Sequence, residues 1–236
     1  MSKIFTLTFL MMFIFCSAAF AEDRPPTISV NGEGTIEVAP DRATVTVGVR
    51  SQNRDAGKVQ SENAQKASNI VRAIVALGIE KKNIHTGDYN FRPIYRNDEN
   101  RQNKLVGYTA ENSITVTIDD LNLTGKVIDA ALSNGANNVN SLSFGIRDRK
   151  ALEREALKLA ARDARAKAEA VAAELGTTIV GIRNVSINSG NVSSPRYKNF
   201  AMMEASAAAD MSYETPVESG TLNCSASIRV EFELGR

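Results

Sequence analysis

The sequence predicts an α+β fold, with antiparallel sheets packed by long helices and a duplicated helix-strand-strand unit. Three observations carry this. Leu222, Cys224, Ala226, Ile228, Val230, Phe232 and Leu234 alternate with Asn223, Ser225, Ser227, Arg229, Glu231 and Glu233, the period of a strand with one buried face. Two long stretches, Arg54–Leu77 and Arg149–Leu175, instead repeat at helical spacing. Each of these closes on a Leu-Gly pair (Leu77-Gly78, Leu175-Gly176). Each is followed by a strand, a polar loop and a long alternating strand entered through a glycine, Gly107 or Gly220. Antiparallel strands with one apolar face, covered by helices, give a layered α+β architecture.

The elements follow in order. Residues 1–21 read as a signal peptide: Lys3 supplies the positive start, Ile4–Phe15 an apolar core, and Ala19-Phe20-Ala21 the small-x-small cleavage pattern. Cleavage after Ala21 leaves a domain over 22–236 without a transmembrane segment, and places the protein in the periplasm. The apolar core is shorter than the ~20 residues that span a bilayer. Thr27–Val38 reads as a strand interrupted at Gly32 and Gly34. Ala39-Pro40-Asp41 reads as a turn, and Ala43, Val45, Val47 and Val49 as a second strand, the two forming a hairpin. Val59, Ala67, Ile70, Val71, Ile74 and Leu77 form the stripe of the first helix, which Asn53 or Asp55 can cap.

Tyr89, Phe91, Pro93 and Tyr95 alternate as a strand that Pro93 assigns to an edge or a bulge. After the polar loop Asn97–Lys104, a long strand puts Tyr108, Ala110, Ile114, Val116 and Ile118 on one face. Asp119-Asp120 opens a short helix with Leu123, Val127, Ile128, Ala131 and Leu132, and Leu142, Phe144 and Ile146 mark a short strand. Ten of the 23 residues from Ala151 to Ala173 are Ala, which favours helix and allows a close neighbour. Leu152, Leu159, Val171 and Leu175 are assigned to that helix's apolar stripe. Ile182–Ile187 is a further strand. Ser189–Ser219 fits no element, and loops beyond ~12–15 residues are uncommon and often functional.

Composition excludes several chemistries. The whole chain has 28 Lys+Arg against 27 Asp+Glu, one His and two Cys. Removing the leader takes Lys3 and Cys16, leaving a balanced surface and a single thiol. No intrachain disulfide follows, and there is no basic body to hold nucleic acid. His85 lacks a nucleophile motif and reads as a surface-loop residue, so no catalytic, cofactor or metal residues are assigned. Cys224 falls on the apolar face and reads as a buried, inert thiol. Gly32-Glu33-Gly34 lacks the following helix of a phosphate loop, and reads as a bulge or a close backbone approach. Lys150, Arg154, Lys158, Arg162 and Arg165 form a basic ridge among acids, read as a solvated face.

The 189–219 loop carries the candidate interaction residues Tyr197, Phe200, Met202, Met203, Met211 and Tyr213. Methionine interleaved with aromatics suits the core of a protein contact, in a homo-oligomer or with an envelope protein partner. The alternative is methionine-based handling of metal or oxidant.

Several segments together resemble the SIMPL-domain family. They are Val30-Asn31-Gly32-Glu33-Gly34 running through Ala39-Pro40-Asp41-Arg42-Ala43, the strand Thr86–Tyr95, the strand opening Gly107-Tyr108-Thr109-Ala110, the Ala-rich helix and Pro216–Gly220. The resemblance covers about Pro26 to Leu234. It implies an α+β fold with duplicated units, export to the periplasm or envelope, and a tendency to self-assemble. It also implies a link in some members to oxidative-stress defence or surface immunogenicity, and no established enzyme activity.

Overall fold

A computed structural model of the chain describes residues 25–97, 103–193 and 215–236. The signal segment 1–21 lies outside the described residues. Among the described residues seven strands and three α-helices run in the order β1 (Thr27–Val38), β2 (Arg42–Asn53), α1 (Ala56–Ala76), β3 (Ile84–Asn97), β4 (Asn103–Ile118), α2 (Thr124–Ser133), β5 (Asn138–Gly145), α3 (Arg149–Glu174), β6 (Thr178–Ser193) and β7 (Leu222–Gly235). The strands form a four-stranded sheet, β3-β4-β2-β5, and a three-stranded sheet, β1-β7-β6. All pairings are antiparallel. The predicted α+β architecture is therefore the observed one.

The duplication is visible in the topology. In the first sheet a helix is followed by the hairpin β3-β4, and β4 pairs on its other side with β2; in the second, α3 is followed by β6-β7, and β7 pairs with β1. The expected β1-β2 hairpin does not form: the two strands belong to different sheets. Two-residue hairpin loops need positive φ at a turn residue. Ala39-Pro40-Asp41 has no glycine to supply it, and the Pro40 ring fixes a negative φ. The link instead crosses between sheets. Asp41 anchors it, its N–H donating to the Gly145 carbonyl at 3.1 Å and its carboxylate accepting from the Arg147 N–H at 2.7 Å.

Each sheet has its own core. In the first, Val45, Val47 and Val49 of β2 and Ile114, Val116 and Ile118 of β4 pack under Ile70 and Ile74 of α1 and Val127 and Ala131 of α2. Asp55 caps α1 by accepting from the Lys58 N–H at 3.0 Å, while Asn53 accepts from the Asp55 N–H at 3.1 Å. Both candidate caps are thus used, one behind the other. Pro93 sits in β3, an edge strand with register shifts between Thr86 and Tyr89 and between Ile94 and Tyr95, where a missing N–H costs least.

In the second core Ala160, Ala164 and Ala168 of α3 lie over Ile228, Val230 and Phe232, and Ala156 lies over Cys224 and Ala226. Every apolar residue of the alternating β7 set is buried. The buried line of α3 is Ala156, Ala160, Ala164, Ala168 and Ala172. Leu159, Val171 and Leu175, expected in the stripe, are exposed, and only Leu152 packs against the core. The cause is proximity. A Cβ on Gly32 would lie 2.0 Å from the Ala160 carbonyl oxygen, and one on Gly34 would lie 2.1 Å from that of Ala156. A helix this close to a strand has room only for methyl groups between them. The Gly-Glu-Gly segment is thus a close backbone approach, with β1 in unbroken register along β7.

Candidate functional site

Tyr197, Phe200, Met202, Met203, Met211 and Tyr213 lie outside the described residues. The chain that flanks them is well placed. β6 continues to Ser193, which pairs with Asn223, so the first positions of the 189–219 stretch belong to a strand. On the return side, the Thr215 N–H and hydroxyl donate to the Asp129 carboxylate at 3.2 and 2.6 Å. Gly125 makes the space for this: a Cβ there would lie 2.6 Å from the Thr215 carbonyl oxygen. Val217 then packs against the first core. The candidate segment leaves from the second sheet and returns on the helix layer of the first.

β6 itself presents an apolar ledge. Ile182, Val185 and Ile187 stand directly opposite Phe232, Val230 and Ile228, and opposed residues share a face of the sheet. The β7 members are 4–5% exposed, whereas Ile182, Val185 and Ile187 are 62%, 47% and 61% exposed. The difference follows from where α3 sits. The Glu33 N–H donates to Asp163 at 2.8 Å, and Lys167 donates to both the Asn31 carbonyl at 3.2 Å and Asp163 at 2.6 Å. These bonds and the two glycines hold α3 toward β1. Among the described residues β6 is the far edge of the sheet, with its apolar face exposed and no strand paired on its outer side. The Asp163 carboxyl lies below the usual carboxylate range, held there first by the Lys167 ammonium and then by the Glu33 N–H. The sequence identified Ile182–Ile187 as a strand but not its exposure, which depends on the lateral position of a helix fixed by Gly32 and Gly34.

The remaining candidates are quickly placed. His85 is exposed, in β3 opposite Thr115, so it belongs to a strand and not to a loop. Cys224 is fully buried. Burial pushes its thiol up, Glu153 adds to this and Arg149 opposes it. On the basic ridge, Lys158 pairs with Glu155 at 2.7 Å and Arg165 with Glu169 at 2.7 Å, all exposed. Among the described residues no group of three His, Cys, Asp or Glu side chains is placed to hold a metal ion. No helix among them is long and apolar enough to cross a membrane.

These features define an α+β protein of two strand, helix and hairpin units, one of which leaves a long apolar edge open. Residues 28–232 match the family model SIMPL, described as a protein of unknown function (DUF541), and the chain belongs to that family. It is similar to the 26 kDa periplasmic immunogenic protein of Brucella melitensis, at 27% identity over 96% of this chain and 94% of that protein. It is also similar to the uncharacterized protein YggE of Escherichia coli K12, at 26% identity over 95% of this chain and 90% of that one. YggE of Edwardsiella ictaluri is 24% identical over 89% of this chain and 88% of its own length.

Proposed function

We propose that this chain is an exported periplasmic protein, a single SIMPL-like domain over 22–236, that acts without enzymatic chemistry through self-assembly or binding of an envelope partner. The observation that carries the reading is the open face of β6. Burying an Ile or Val side chain stabilises by ~1.5–3 kcal/mol. Ile182, Val185 and Ile187 therefore hold a large unused driving force beside an unpaired backbone edge. β6 runs directly into the segment bearing Tyr197, Phe200, Met202, Met203, Met211 and Tyr213, and ledge and segment together form the proposed contact. The signal-peptide pattern of residues 1–21 and the periplasmic name of the Brucella relative support export. A role in envelope or oxidative stress tolerance follows as the physiological setting.

The mass of the protein in solution tests the reading. Assembly is expected, weakened by Ile182→Lys with Ile187→Lys and by deletion of residues 199–211, with circular dichroism unchanged. A strict monomer at high concentration, with no partner recovered from envelope extracts, overturns it. Titration with Cu(I) of the protein and of a Met202, Met203, Met211 triple Leu variant distinguishes the methionine-based alternative, which requires binding that the variant loses.

A further inference from the structure

The face of the first sheet turned away from α1 and α2 carries a cleft of about 460 Å³. Its floor is Gly48, at the middle of β2 between the helix-facing Val47 and Val49. Gly48 stands opposite Ser113 of β4 on one side and Asn138 of β5 on the other. Both outer strands are irregular at this same level. On β5 the register shifts between Thr46 and Val47 of its partner, leaving Asn140 without an opposing residue. On β3 it shifts between Thr86 and Tyr89, leaving Gly87 and Asp88 beside Ser113. The Asp88 N–H donates to the Ser113 hydroxyl at 2.7 Å, which fixes that bulge. Bulges re-aim side chains and recur beside binding sites. Here two of them flank one side-chain-free position in a single cross-strand row. Three interstrand spacings of ~4.8 Å put the two walls about 14 Å apart.

The chemistry of the walls is polar and balanced. Asn138 and Asn140 form one wall, and Asp88 and Asn90 the other. All four are exposed, and no hydrogen bond from their side chains to another described residue is formed. At the end of the cleft Glu111 is bridged by Arg50 at 3.3 Å and Arg92 at 3.4 Å. Two cations against the carboxylates of Glu111 and Asp88 leave no net charge to select an ion. Amides both donate and accept, and a carboxylate accepts from adjacent hydroxyls.

We infer that this cleft is a binding site for a neutral oligosaccharide, two or three rings lying across the strands over Gly48. The wall amides and the Asp88 carboxylate bond its hydroxyls. The site is on a different sheet from the β6 ledge and does not depend on the reading of that ledge.

Saturation-transfer NMR on the full mature chain tests it, with cellotriose and tri-N-acetylchitotriose as neutral probes and inorganic phosphate and calcium as charged ones. A saturable signal is expected from at least one trisaccharide. Asn140→Ala and Asp88→Asn, both at exposed positions, should each raise Kd about tenfold, the weight of one such hydrogen bond. Gly48→Val should abolish the signal by filling the floor. No saturable signal from either trisaccharide overturns the inference. So does unchanged Kd in both wall variants, or binding of phosphate or calcium alone with effects at the same residues.

Discussion

Replacing Gly32 by Ala adds one methyl group at the tightest position among the described glycines. The new Cβ would sit 2.0 Å from the Ala160 carbonyl oxygen, 2.6 Å from the Ala164 Cβ and 2.7 Å from the Ala164 nitrogen. Two of these are helix backbone, which cannot rotate aside, so α3 must move outward by about 1 Å. A radial gap of ~0.5–1 Å already forfeits a quarter to a half of each dispersion contact. The loss falls along the whole line of Ala156, Ala160, Ala164, Ala168 and Ala172 over β1 and β7. Overpacking costs ~1–3 kcal/mol; the expected loss in unfolding free energy is about 3 kcal/mol, at the top of that range. Gly34→Ala should behave alike, its Cβ falling 2.1 Å from the Ala156 carbonyl oxygen. One outward shift relieves both clashes, so the double variant should lose clearly less than the sum of the singles. Gly145→Ala is the control, with nothing within 4 Å of its Cβ. It should be neutral or gain ~0.4–1 kcal/mol from a less flexible unfolded chain. Urea unfolding followed by circular dichroism reads all four variants. A Gly32→Ala protein within about 0.5 kcal/mol of the parent, the scatter of surface substitutions, refutes the close-contact account.

Cys224 should resist alkylation by iodoacetamide at neutral pH in the folded protein and react at the ordinary thiol rate in urea, because burial disfavours its thiolate; equal rates in both states would refute its burial. For Asp163, whose folded pKa is lowered, the stabilising contact is fully present above the ordinary carboxylate pKa. It is lost as pH falls through the lower folded value. Asp163→Asn should therefore lower the urea midpoint at neutral pH, with the gap to the parent closing in acid; a gap independent of pH counts against the Lys167 and Glu33 contacts. Asn63 is fully buried and donates to the Val49 and Ala110 carbonyls at 3.0 Å each. Asn63→Ala leaves both acceptors without that donor and should cost about 2–4 kcal/mol in urea unfolding. A loss below ~0.5 kcal/mol shows that those carbonyls do not need it.

Local pattern was legible wherever burial follows chain period. β7 shows this most clearly, its seven apolar positions all turned to α3. Ends of elements were legible too, through Asp55 at the start of α1 and Gly78 and Gly176 after α1 and α3, both glycines at positive φ. Partnership between distant segments was not. Nothing in the period of β1 indicates β7 as its neighbour, and proximity in sequence suggested β2. The exposed leucines of α3 were assigned inward because size suggests a core, whereas Gly32 and Gly34 had already removed the space a Leu would fill. The Gly48 cleft depends on register shifts in β3 and β5, and a shift belongs to a pair of strands and is not written in either one. The six aromatic and methionine positions were legible as composition, and the fold places their flanks at Ser193 and Thr215.

The β1-β7 ladder also has a consequence in time. Asn31 and Arg229 face one another in it, joined by a side-chain hydrogen bond across 198 positions of sequence. As the chain is made, β2, α1, β3 and β4 can assemble as a local unit. β1 cannot be paired until β7 has emerged, and α3 has no finished sheet to settle on before then. Pairings of such long separation are slow to form and leave strands exposed meanwhile. The β1-β7-β6 half of the molecule is thus completed only after β7 has been made, so a chain held back by a binding factor acting on β1 would keep that half unassembled.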